Sequence, residues 1–215
     1  MKNFEGIIFD IDGTLASTNE LIYAAFNHIS SKYMNKKLTN EEVIALFGPT
    51  EDTILKEWFG NNLSNAMEDY YKFYKNEHHM ATASPGIEDI LKIVKEKNIP
   101  IGIFTGKGKR TALITLEVLD IDKYFDLIVT GDDVKVHKPS GEGINKFVNE
   151  FNLDKEKVLM IGDSKGDIKA SREAGVKIAS VVWDSYAKEE VLKLRSDYLF
   201  HSVEELKEFL EENIE

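Results

Sequence analysis

Two hydrophobic textures alternate along most of this chain. Short apolar, largely β-branched runs recur at residues 6–9, 99–104, 127–130, 158–161 and 178–183. Each is too short for a helix and ends in polar turn residues, which predicts buried strands. Between them apolar positions return at helical spacing. Ile87, Ile90, Leu91 and Val94 do so after Ser84-Pro85, and Ala112, Leu113, Leu116 and Leu119 after Gly108. Val203, Leu206, Phe209 and Leu210 follow Ser202 and Glu205, which read as a capping box. Strand, helix and strand in succession predict an α/β fold: a Rossmann-like parallel sheet with right-handed crossovers, flanked by helices.

One stretch breaks the alternation. From Ala16 to Ala83 the pattern is helical, with no convincing strand. Leu21, Ile22, Ala25, Phe26 and Ile29 form one helix face. Thr39 and Glu42 form a capping box ahead of Val43 to Phe47. Ile54, Leu55 and Trp58 mark a third helix, and Ala66, Tyr70, Phe73 and Tyr74 a fourth. The expected organisation is a core of residues 1–15 and 84–215, with a small helical-bundle domain inserted at 16–83.

Composition narrows the function classes. Of 215 residues, 27 are Lys or Arg and 38 Asp or Glu, a net charge of −11. Such a surface repels phosphate backbones, so nucleic acid is not an expected partner. The absence of cysteine excludes disulfides, thiolate nucleophiles and zinc-thiolate sites. Asp10 and Asp12 interrupt the first apolar run, so no signal peptide is expected, and no stretch reaches membrane-spanning length. A cytoplasmic chain without membrane partners, monomeric or weakly dimeric, is expected.

The chemistry gathers at strand ends, where ligands of open parallel sheets sit. Asp10 and Asp12 follow the first strand, and Thr105, Gly106 and Lys107 the second. Lys138-Pro139 comes after the third, and Gly162, Asp163 and Asp167 accompany the fourth. Taken singly, Gly162-Asp163-Ser164 reads equally as a turn with an Asp helix cap, and Lys138-Pro139 and Thr105 read better as a surface turn and an ordinary strand end. Together, in order, they are the composition of a magnesium-assisted phosphoryl-transfer site. Magnesium takes hard oxygen ligands. A carboxylate such as Asp10 can attack phosphorus, its neighbour Asp12 can move protons, and Lys138 can offset the charge that develops. Thr105 and the backbone N–H groups of Gly106 and Lys107 can bind phosphate oxygens. The five histidines, His28, His78, His79, His137 and His201, have no metal-ligand spacing and read as surface or insert residues.

Asp10-Ile11-Asp12-Gly13-Thr14, Thr105, Lys138-Pro139 and Gly162-Asp163 with Asp167 resemble the four motifs of the haloacid dehalogenase superfamily, in order and across nearly the whole chain. The insert resembles the family's α-helical cap. The resemblance implies Asp10 as nucleophile and Asp12 as acid/base. It also implies Mg2+ held by Asp10, the Asp12 carbonyl and Asp163, with Asp167 a second ligand or a support. Gly106 stands where many relatives have Asn.

Residues also separate the chemistries within that family. Dehalogenases lack the aspartate at the position of Asp12, so its presence points to a phosphatase. Ser17-Thr18-Asn19-Glu20 lacks the histidine usual in β-phosphoglucomutase-like mutases, and no lysine stands in the context of a Schiff base. The expected activity is a phosphatase of a small phosphorylated metabolite, like phosphoglycolate phosphatase. The alternatives are an inorganic pyrophosphatase, a broad-specificity phosphatase, a mutase, or an inactive binding module. Asn19, Gly48, Pro49 and Thr50 in the insert are the candidate specificity residues.

Overall fold

The computed structural model describes residues 4–60 and 63–214. Residues 1–3 and 215 of the expected core, and 61–62 of the expected insert, lie outside them. Six strands form one parallel sheet: β1 (Gly6–Phe9), β4 (Ile101–Phe104), β5 (Leu127–Val129), β6 (Val158–Gly162), β7 (Lys177–Val181) and β8 (Tyr198–Phe200). Their spatial order is β5-β4-β1-β6-β7-β8. The chain builds outward from β1 on one side and, from β6, on the other. The carboxyl ends of β1 and β6 therefore flank the switch point of the sheet, the place where such folds bind ligands.

Successive side chains of a strand face opposite sides, and here both sides are covered. Ile7 and Phe9 of β1 join Ile101, Ile103, Leu159 and Ile161 on one face. Helices α5 (Ile87–Glu96), α6 (Lys109–Val118) and α10 (Val203–Asn213) cover it. Ile8 joins Phe104, Met160 and Ile178 on the other face, under α7 (Glu142–Glu150), α8 (Lys165–Ala174) and α9 (Lys188–Lys193). Full burial on both sides of β1, β4 and β6 explains why these central strands read as continuous apolar runs rather than alternating ones.

Three sequence expectations change. The stretch from Ala16 to Ala83 does contain strand: β2 (Ala16–Ser17) pairs antiparallel with β3 (Thr82–Ala83), tying together the two chain crossings into the insert. Two-residue strands carry too little pattern to be read from sequence. Second, β8 was not expected; three edge residues give no period. Third, Ser202 caps α10 as foreseen, accepting the Glu205 N–H, but the Glu205 carboxylate reaches back to the His201 N–H and not to the Ser202 N–H.

Within the insert, α1 (Asn19–Met34), α2 (Asn40–Ile44), α3 (Glu51–Phe59) and α4 (Leu63–Asn76) close around their own apolar cluster. Leu21, Phe26, Ile29, Leu55, Tyr70 and Tyr74 are buried there. The Thr39–Glu42 capping box is formed, with reciprocal bonds of 3.2 and 2.9 Å. The bundle rests on α6, where Tyr74 Oη and His78 Nε2 both reach Thr115 Oγ1, at 2.9 and 3.2 Å. Among the described residues no helix is long and apolar enough to cross a membrane.

Candidate active site

Asp10 leaves the carboxyl end of β1 with its N–H bonded to Ile161 O, which fixes it beside the end of β6. Asp163 follows β6, and Asp167 lies on the first turn of α8. One carboxylate oxygen from each of the three lies within 4.8 Å of the others, and all three side chains are buried. One ammonium stands among them. Lys138 Nζ is 2.6 Å from Asp167 Oδ1 and 3.1 Å from Asp10 Oδ1.

The electrostatics follow from this imbalance. Burial raises the Asp10 pKa to about 7; Lys138 opposes the rise, and Asp167 and Asp12 add to it. Burial also pushes Asp163 well above the carboxylate range, with Asp10 and Asp167 adding and Lys138 opposing. For Lys138, burial disfavours the charge, but Asp10 and Asp167 outweigh it and hold the ammonium above the ordinary lysine range. Perturbation of this kind in a cleft is a mark of functional sites.

The donor set suits a hard divalent cation. It consists of carboxylate oxygens, in excess over the single ammonium. Asp163 Oδ2 is buried without a hydrogen-bond partner, while both oxygens of Asp167 are engaged. Its Oδ1 accepts from Lys138, and its Oδ2 accepts from Ser164 N–H at 3.0 Å and Ser164 Oγ at 2.6 Å. Asp163 thus has an oxygen free to take an ion, Asp10 shares its Oδ1 with Lys138, and Asp167 anchors Lys138 with both oxygens engaged.

Asp12 stands apart from this trio. Its carboxylate accepts from Lys107 Nζ at 3.0 and 3.2 Å and from the hydroxyl of buried Thr18. Lys107, expected at the phosphate, therefore sits on Asp12. Burial by itself disfavours its charge, yet Asp12, Tyr74 and Glu51 outweigh that and raise its pKa above the lysine range. Thr105 is buried at the end of β4 and its Oγ1 accepts the Lys107 N–H at 3.2 Å. A Cβ built on Gly106 meets nothing within 4 Å, so the position opens onto the pocket.

A pocket of about 440 Å³ joins these groups to the insert. Asp10, Asp12, Thr105, Gly106, Lys107, Lys138 and Asp163 line its core side; Asn19, Gly48 and Pro49 line the insert side. Thr50 is placed elsewhere. It is buried as the residue before α3, its Oγ1 is 3.2 Å from Thr53 Oγ1, and it packs against Gly131. Sequence reasoning missed the apolar wall of Ile22, Phe26, Phe47 and Ile54, and it missed Glu51, which reads as an ordinary first-turn acid. It also missed Tyr186, whose ring meets Phe47 edge-on across the pocket, centroids 5.4 Å apart. A tyrosine just past a strand end was the available signal.

Residues 7–181 match the family described as haloacid dehalogenase-like hydrolase. The pyrophosphatase PpaX of Bacillus pumilus is 32% identical over 203 residues, covering 93% of each chain. A crystal structure from Thermotoga maritima, provisionally named β-phosphoglucomutase, is 30% identical with a TM-score of 0.76, over 97% of this chain and 99% of that one. A predicted phosphoglycolate phosphatase from Haemophilus somnus shares the fold at 19% identity, with a TM-score of 0.82 over 97% and 99% of the two chains. With the motif residues gathered at the switch point and the match spanning most of its length, this chain belongs to the haloacid dehalogenase-like hydrolases.

Proposed function

We propose that this protein is a Mg2+-dependent phosphatase that hydrolyses a small phosphorylated metabolite through an aspartyl-phosphate on Asp10. The observation that supports this most is the buried trio Asp10, Asp163 and Asp167 around Lys138, opening into a pocket that also holds Asp12. Asp10, Asp163 and the Asp12 carbonyl would hold Mg2+. When bound, the ion screens the phosphate from the carboxylates around it.

The residues then divide the work. An Asp10 oxygen attacks phosphorus as the bond to the leaving oxygen breaks, and Asp12 gives that oxygen a proton. Asp12 next takes a proton from the water that attacks the aspartyl-phosphate, which releases phosphate and restores Asp10. Lys138 offsets charge on the nucleophile and the transferring group. The Thr105 hydroxyl and Gly106 N–H donate to phosphate oxygens. The 16–83 bundle serves as a cap domain that keeps bulk water away from the acyl phosphate.

The pocket favours an organic leaving group. The cap contributes Ile22, Phe26, Phe47, Pro49 and Ile54 with Asn19, and among the described residues its only charged contribution is Glu51, an anion. A second phosphate on the cap side would meet no cation there. The reading as a pyrophosphatase rests on the name of the Bacillus relative, and Lys165 and Lys169 at the core rim are the cations it would use. Comparing kcat/KM with Mg2+ for phosphoglycolate, pyrophosphate, sugar phosphates and nucleotides separates the two. A preference for an organic phosphate, lost with Asp10→Asn, is expected. Preference for pyrophosphate would replace the first substrate class by the second, and full activity in Asp10→Asn would remove the reaction itself.

A further inference from the structure

One buried acid in the pocket has no part in the steps above. Glu51 opens α3 in the cap, yet both of its oxygens bond to the core. Oε2 accepts the Gly108 N–H at 2.7 Å and Oε1 accepts the Thr111 hydroxyl at 2.7 Å. Oε1 also lies 4.0 Å from Lys107 Nζ. A Cβ on Gly108 would stand 2.5 Å from Glu51 Oε2, so this approach depends on glycine at 108.

Lys107 is thereby enclosed from two domains. Its backbone belongs to the core: its N–H donates to Thr105 Oγ1 and its carbonyl accepts from Gly131 N–H. Its ammonium is bounded by Asp12 of the core and by Glu51 and the ring of Tyr74 from the cap, the last at 5.2 Å to the centroid. With the cap seated, the Lys107 side chain is 1% exposed and Asp12 25%. Without it, Lys107 would lose one of its two carboxylates and its aromatic wall, and its four-carbon stem would be free to swing into water.

We propose that Glu51 is a positioning residue: seated against the loop at 106–108, its carboxylate orients Lys107 onto Asp12, so that the acid/base group is aligned only when the cap is docked. This rests on the acid/base role given to Asp12 above. It links closure to catalysis in the way induced fit requires, because the order of the site depends on a contact made across the two domains.

The test uses p-nitrophenyl phosphate and Mg2+ with Glu51→Gln, Lys107→Met and the double variant, each checked for a cooperative melt. Glu51→Gln keeps the shape and an acceptor oxygen but removes the charge facing Lys107. The expected result is a fall in kcat of about tenfold with KM changed less than about threefold, and no further fall when Glu51→Gln is added to Lys107→Met. If Glu51→Gln does not fold, Gly108→Ala, which displaces the carboxylate, carries the same comparison. A normal kcat, a change in KM alone, or losses that multiply in the double variant would overturn the proposal. Asp12→Ala separates this from the reading beneath it: normal turnover in that variant removes the acid/base role, whatever Glu51 does.

Discussion

Gly13 packs its backbone directly against the Asp163 carboxylate. A Cβ on Gly13 would stand 2.4 Å from Asp163 Oδ2, and Gly13 has a φ of +75°. The turn after β1 therefore brings its backbone against the unpartnered Asp163 oxygen that we propose holds Mg2+. Gly13→Ala should cost about 1 kcal/mol through the left-handed backbone alone. The displaced Asp163 should weaken Mg2+ activation by at least about tenfold. Melting curves and Mg2+ titrations of turnover check both; unchanged Mg2+ dependence would take Asp163 out of the metal site.

Among the described residues, Lys138 is the single ammonium set between the buried carboxylates of Asp10 and Asp167, beside Asp163. Lys138→Met should lower kcat on the order of 10³-fold and destabilise the protein by about 3 kcal/mol, because the acids lose their counter-charge. Adding Asp167→Asn should recover part of the stability and none of the activity. Denaturant unfolding and turnover of the two variants measure this. A double variant no more stable than the single one would mean that Asp167 does not depend on Lys138 for its charge balance.

His78 supplies a pH dependence where the helical bundle meets α6. Burial holds it below the ordinary histidine range, and the nearby Lys107 adds to the effect. The unfolded chain binds a proton near pH 6.5; the folded chain binds it only at lower pH. The contribution is therefore complete above about pH 6.5 and is lost as the pH falls below it. His78→Phe should lose less stability than the parent between pH 7.5 and 5. Equal slopes in the two unfolding series would show that His78 is accessible to protons when folded.

Tyr186 meets Phe47 edge-on at 86° across the mouth of the pocket. An aromatic pair of this kind contributes about 0.5–1.5 kcal/mol beyond its buried area. Tyr186→Ala should raise KM by roughly two- to tenfold with a smaller change in kcat. Steady-state kinetics on the best substrate test it, and an unchanged KM would mean that the two rings do not act in closure.

The strand ends that hold the proposed site were legible because buried parallel strands leave continuous apolar runs, and Asp10, Thr105 and Asp163 stop those runs abruptly. The faces of α1, α3 and α4 were legible from helical spacing, as Leu21, Leu55 and Tyr70 show. What escaped lacks a local signature. Pairing of Ala16 with Ala83 spans the whole insert. The partner of Lys107 depends on how the β4 loop folds over Asp12, and Glu51 acts on residues more than fifty positions away. No window of sequence contains those distances. Thr50 shows the converse: its place beside Gly48 and Pro49 suggested a substrate contact, while one residue further along the chain it turns into the seam against Gly131.

In the proposed reaction a carboxylate oxygen of Asp10 bonds to phosphorus. Acid quenching during turnover of p-nitrophenyl phosphate with Mg2+, borohydride reduction and peptide mass spectrometry test it directly. Homoserine is expected at position 10 in the quenched enzyme, and none in enzyme reduced without substrate. Robust turnover with an unmodified aspartate at that position under every quench time would contradict it.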